Sequence, residues 1–215
     1  MTNLVCFSHY TAGGLLCDIL NDTYSEIGSN GGIKSLHHSL GKISDSDTVL
    51  IDYDVEKIVQ QISVLPSHTW AGTHCWPGKL PTDCFGEIIN VTTVTHRSQC
   101  YRWLRSYYHY FSKIWKLSPN DMDFIDKCRE TAKNYLVPFE PVWENNVVNI
   151  EFADIVENTA EFCKIAKNKD ISKHMQRWKM INNFLYDSSL WSHQLVKIFY
   201  QAQLETELKR YYIYH

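Results

Sequence analysis

The chain of 215 residues has no apolar run approaching the length a helix needs to cross a bilayer, so no helical membrane span is expected. Nor does it carry a basic surplus. Lys and Arg number 21 against 24 Asp and Glu, a formal net charge of −3. That leaves no bulk charge to neutralise a phosphate backbone, and nucleic acid is not an expected partner. The seven cysteines include no Cys-x-x-Cys pair, and Met1-Thr2-Asn3 offers no basic segment of a signal peptide. Reduced, buried thiols in a cytoplasmic protein are therefore expected. Gly-x-Ser-x-Gly is absent, which removes the serine-nucleophile elbow. His37-His38 and His74-Cys75 have no second pair at ligand spacing, so no metal site is expected. Internal repeats, low-complexity tracts and linker-like stretches are also lacking, and one domain over 1–215 is expected.

What is present is an ordinary globular composition, 44% hydrophobic and 21% charged, with strands and helices in alternation. Leu4-Val5-Cys6-Phe7 opens a strand over 4–8, and a helix is expected over 13–22. Residues 28–47 read as an irregular excursion and Thr48-Val49-Leu50-Ile51 as a strand. Asp54 is placed to cap an amphipathic helix over 55–62. Two more strands are expected over 68–73 and 88–95. From Ser98 onward, helices are expected at about 99–116, 120–134, 157–167, 171–186 and 188–210, with a short strand near 146–151. The pattern predicts an α/β fold: a parallel sheet of about four or five strands flanked by helices, with a helix-rich C-terminal half.

Three places carry candidate chemistry. Ser8-His9-Tyr10-Thr11-Ala12-Gly13-Gly14 is a small-residue loop between a strand and a helix. Small residues let backbone N–H groups approach an anion, and a helix N-terminus stands behind them. On this loop alone, an anion site and a tight strand-to-helix turn are both open. Gly28 to Ser35 imitates a Walker loop but has Ile33 where the motif needs glycine, and it follows a helix; it reads as a surface loop. The second place is His74, at the end of the 68–73 strand. A histidine near neutral pKa suits proton removal from a hydroxyl; the plainer alternative is a strand-end ring bonded to backbone. The third is His96-Arg97 followed by a helix carrying Ser106-Tyr107-Tyr108-His109-Tyr110-Phe111.

Taken together, Thr73-His74-x-x-Pro77, the strand 88–95, Arg97 and Ser106-Tyr-Tyr-His-x-Phe resemble the cytosolic sulfotransferases. The loop 8–14 with Leu16-Cys17-Asp18-Ile19-Leu20 is similar to that family's phosphosulfate loop, and Val148 to Val156 to its strand carrying Tyr-Glu-Asp-Leu. The resemblance implies a P-loop kinase-like fold and 3′-phosphoadenosine 5′-phosphosulfate (PAPS) as donor. The acceptor would be a hydroxyl on a small molecule or glycan, with no metal. It also implies roles: His74 as general base; His9, Tyr10, Thr11, Ala12, Gly13, Gly14 and Leu15 around the donor's phosphosulfate; Arg97 and Ser106 on its 3′-phosphate. The chain departs from the family in two ways. Tyr10, or Thr11, stands where the family has a lysine, and one extra residue separates Arg97 from Ser106. A non-catalytic relative that binds a nucleotide or sulfated ligand, and a nucleotide-dependent phosphotransferase, remain as alternatives.

Overall fold

A computed structural model of the chain describes residues 1–8, 11–21, 54–92, 139–167 and 169–181. The elements expected at 48–51, 99–116, 120–134 and 188–210 lie outside the described residues, as do His9, Tyr10, Arg97 and Ser106.

The apolar run at the N-terminus forms β1, Asn3–Phe7. Leu4, Val5 and Cys6 are wholly buried, and the run does not alternate with polar residues because the strand is covered on both faces. It pairs in parallel with β2, Trp70–Thr73, on one side and with β3, Ile88–Thr92, on the other. β4, Val147–Glu151, pairs in parallel with β3. The sheet is thus four-stranded and all parallel among the described residues, in the order β2-β1-β3-β4. The chain winds from β1 to β2 on one side, then crosses β1 to reach β3 and β4 on the other. In open parallel sheets the reversal of winding opens a crevice at the carboxyl ends of the strands, where ligands bind.

Side-chain alternation assigns each face. Leu4, Ala71 and Ile88 are in register and share one face. Against them pack Ile58 and Ile62 of α2, Val55–Ser63, together with Leu80, Phe85 and Phe139. Each such fully buried side chain contributes roughly 1.5–3 kcal/mol over its exposed state. Asp54 caps α2 as its sequence position predicts, accepting from Lys57 N at 3.0 Å. The first helix, α1, spans Gly13–Asn21 and packs on β1 and β2. Its last residue, Asn21, exchanges two hydrogen bonds with the backbone of Trp70, at 2.7 and 2.8 Å, and so fixes α1 to β2. Lys169 Nζ donates to Ile19 O and Leu20 O at 3.2 and 3.0 Å, satisfying carbonyls at the end of that helix.

The helix expected over 157–167 is shorter, and a helix that the sequence pattern did not predict precedes it. α3 spans Phe152–Glu157, directly after β4, and α4 spans Ala160–Ile165. Asn158 takes the left-handed conformation (φ 57°, ψ 50°), and Thr159 N reaches back to Asp154 O at 3.1 Å, which ends α3. Thr159 then accepts from Phe162 N and starts α4. The helix expected over 171–186 appears as α5, Ser172–Ile181, within the described residues. No helix among these residues is long and apolar enough to cross a membrane.

Candidate functional site

The carboxyl ends of β1 and β2 bring two of the three candidate places together. β2 ends at Thr73, whose hydroxyl accepts from Cys75 N at 3.1 Å and turns the chain out of the strand. His74 sits at that turn and is 8% exposed. Its Nδ1 lies 2.8 Å from Phe7 O, the last carbonyl of β1. A carbonyl only accepts, so Nδ1 carries the hydrogen, and the neutral ring keeps its basic lone pair on Nε2. The imidazole also meets the Phe7 ring edge to face, with centroids 4.5 Å apart and planes at 68°.

Phe7 touches the loop as well. Thr11 Oγ1 donates to Ser8 O at 2.6 Å and closes the turn after β1. Ala12 follows at φ 59°, in the left-handed region, where an alanine is strained by roughly 1–2 kcal/mol. Gly13 begins α1 directly against Phe7: a Cβ built there would fall 2.0–2.3 Å from three atoms of the ring. Glycine is required by that close approach. The first N–H groups of α1 have no intrahelical acceptor; Leu16 N is the first to find one, Ala12 O at 3.2 Å. Thr11 and Gly13 are buried, whereas Ala12, Gly14 and Leu15 are half-buried. Of the expected site residues, therefore, His74 and Thr11 to Leu15 gather at one end of the sheet. Lys79 lies exposed on the 3₁₀ turn Pro77–Lys79 that follows His74.

Two asparagines escape a reading by motif. Asn90 and Asn149 are in register on β3 and β4, on the Leu4 face. Asn149 bonds both backbone groups of Val142, accepting from its N at 3.0 Å and donating to its O at 2.9 Å. Asn90 Nδ2 donates to Glu140 O and to Asn149 Oδ1, both at 2.8 Å. Trp76 Nε1 donates to the same Glu140 carbonyl at 3.0 Å. Residues 140–142 are thereby tied to β3, to β4 and to Trp76, which follows His74 by two residues. Both Asn90 contacts are acceptors, which fixes its amide orientation. Its Oδ1 is buried without a partner. The one signal in the sequence is a polar residue interrupting Ile88-Ile89-Asn90-Val91.

The cysteines depart from expectation in one respect. Cys6, Cys17 and Cys75 are buried thiols, but Cys84 is exposed and Cys163 half-buried. Cys84 falls on a 3₁₀ turn, Thr82–Cys84, outside the core. Burial, then Cys75 and Cys17, pushes the Cys6 thiol well up; burial, then Asp18, does the same to Cys17. Among the described residues no group of three His, Cys, Asp or Glu is placed to hold a metal ion. A pocket of about 190 Å³ lined by Met1, Thr2, Val59 and Cys84, among others, opens at the amino ends of the strands. None of the expected site residues lines it, so the His74 end remains the candidate site.

Comparisons with protein-family models, with curated proteins and with solved structures return no match.

Proposed function

We propose that this chain transfers a sulfuryl group from PAPS to an acceptor hydroxyl, on a P-loop kinase-like fold. The observation that carries the proposal is the meeting of a candidate base and a candidate anion turn at one side chain, Phe7. In the proposed reaction His74 Nε2 takes the proton of the acceptor hydroxyl as its oxygen attacks sulfur. The S–O bond to the donor's phosphate breaks, and adenosine 3′,5′-bisphosphate leaves. The turn 9–15 holds the phosphosulfate through N–H groups at the start of α1, while Arg97 and Ser106 hold the 3′-phosphate. The central position of β1, with strands wound to either side, supports a donor site at its carboxyl end.

Thermal-shift measurement with adenosine 3′,5′-bisphosphate, with ATP and without ligand tests the reading. A ligand at about 100 times its Kd stabilises the fold by roughly 2.7 kcal/mol. The bisphosphate should raise the melting temperature and ATP should not. A response to ATP alone would favour a phosphotransferase; no response to either would remove the nucleotide reading altogether.

A second reading has its own support. His74 is largely buried and bonded to a backbone carbonyl, as a purely structural histidine would be, and the loop has no lysine at Tyr10 or Thr11. A non-catalytic relative would bind the bisphosphate nucleotide, or a sulfated ligand, and transfer nothing.

A further inference from the structure

We propose that Phe7 is the positioning residue of His74, and that its ring links the start of α1 to the imidazole. The proposal rests on the reading of His74 as a base, but the arrangement itself is independent of any ligand. The Phe7 carbonyl fixes which nitrogen holds the hydrogen, at 2.8 Å from Nδ1. The Phe7 ring fixes the plane of the imidazole by an edge-to-face contact at 4.5 Å. The same ring packs against Gly13, where there is no room for even a Cβ. Phe7 is itself 2% exposed, so it has no solvent into which to swing. One residue thus sets the tautomer through its backbone and the orientation through its side chain. A base held this way presents Nε2 in one direction before the acceptor arrives.

The test uses the full chain with ¹⁵N-labelled histidine. Two-bond ¹H–¹⁵N correlation spectra, recorded where imidazoles are neutral, distinguish the two tautomers; His74→Asn identifies the signal by its loss. Wild type should show His74 in the Nδ1–H tautomer alone. Phe7→Leu, which keeps the backbone carbonyl but removes the ring edge, should keep the Nδ1–H tautomer and broaden the imidazole signals as the ring loses its fixed plane. It should also raise modification of His74 by diethyl pyrocarbonate several-fold, read by mass spectrometry. Gly13→Ala, which leaves Phe7 in place but displaces its ring, should broaden the same signals. A wild-type ring in the Nε2–H form would overturn the proposal. So would wild-type line shapes and wild-type reactivity toward diethyl pyrocarbonate in both Phe7→Leu and Gly13→Ala. Failure of adenosine 3′,5′-bisphosphate to bind would count against the transferase reading alone, because the tautomer measurement needs no ligand.

Discussion

Replacing Gly13 by alanine adds one methyl group at the start of a helix, a change that ordinarily stabilises by about 1 kcal/mol through helix propensity. Here the structure reverses the sign. The new Cβ would stand 2.0 Å from Phe7 Cγ, 2.1 Å from Cδ1 and 2.3 Å from Cδ2. Carbon atoms in contact rest about 3.5–4.0 Å apart, so the ring or the helix must move by more than an ångström. The ring is buried and in contact with the His74 imidazole. Overpacking of this kind costs about 1–3 kcal/mol, and the propensity gain is smaller at the first helical position than in mid-helix. A net loss of about 1–2 kcal/mol is expected. In urea, with a slope of about 2–3 kcal/mol/M for a chain of this size, the midpoint should fall by about half a molar. Phe7→Leu in the same background should recover part of that loss. The double-mutant cycle should give a coupling of at least about 0.5 kcal/mol. An unchanged or raised midpoint for Gly13→Ala, or strict additivity with Phe7→Leu, would refute the contact as the reason for the glycine.

Asn149→Leu should destabilise by about 1–3 kcal/mol in denaturant titration, since Val142 loses partners for both backbone groups. Asn90→Leu should cost less, because Glu140 O keeps Trp76 Nε1, Asn149 Oδ1 keeps Val142 N, and an unpartnered oxygen is removed from the interior. Of the five described thiols, native alkylation followed by mass spectrometry should label Cys84 first and Cys163 more slowly, and leave Cys6, Cys17 and Cys75 unlabelled until unfolding. Hydrogen bonds from the Ser172 side chain and backbone hold the Asp170 carboxyl below its usual 3.8. A lowered native pKa contributes stability above the unfolded value that is lost as pH falls through the native one. Protection of the Ser172 amide, measured against its intrinsic exchange rate, should therefore fall below about pH 4, and Asp170→Asn should abolish that dependence.

The elements nearest the N-terminus were legible because each has a local cause. Leu4 to Phe7 reads as a strand from its unbroken apolar run, and Asp54 announces α2 by its capping position. The break between α3 and α4 was not legible, although both of its residues are polar. Ile155, Val156, Phe162 and Ala166 are all buried, so apolar spacing continues through a stop that only Asn158's backbone conformation and Thr159's cap reveal. Within the candidate site, His74 was identifiable by residue type and Gly13 by its place in a small-residue loop. Their connection was not, because a backbone carbonyl leaves no mark in a sequence and Phe7 looks like any core aromatic. The same holds for the 140–142 segment: Trp76 and Asn90 bind Glu140 O from 64 and 50 residues away, distances no local pattern spans.

One hydrogen bond serves both accounts of His74, and substitution can separate them. A structural histidine matters for what Nδ1–H does to Phe7 O; a base matters for the lone pair on Nε2. Asparagine places an N–H close to where His74 carries Nδ1, so His74→Asn can keep the bond to Phe7 O while deleting the base. Glutamine reaches instead toward the Nε2 position and gives that bond up. Both substitutions remove the imidazole, so if His74 is the base both should lower sulfuryl transfer by roughly 10²–10⁴-fold, with bisphosphate-nucleotide affinity nearly intact. Stability should split them: His74→Asn close to wild type, His74→Gln lower by about 1–3 kcal/mol for the buried carbonyl left unpaired. If His74 is only structural, the stability split remains but transfer in His74→Asn is unimpaired. Equal stability of the two variants would instead show that the 2.8 Å contact to Phe7 does not hold the ring, and the tautomer argument would go with it.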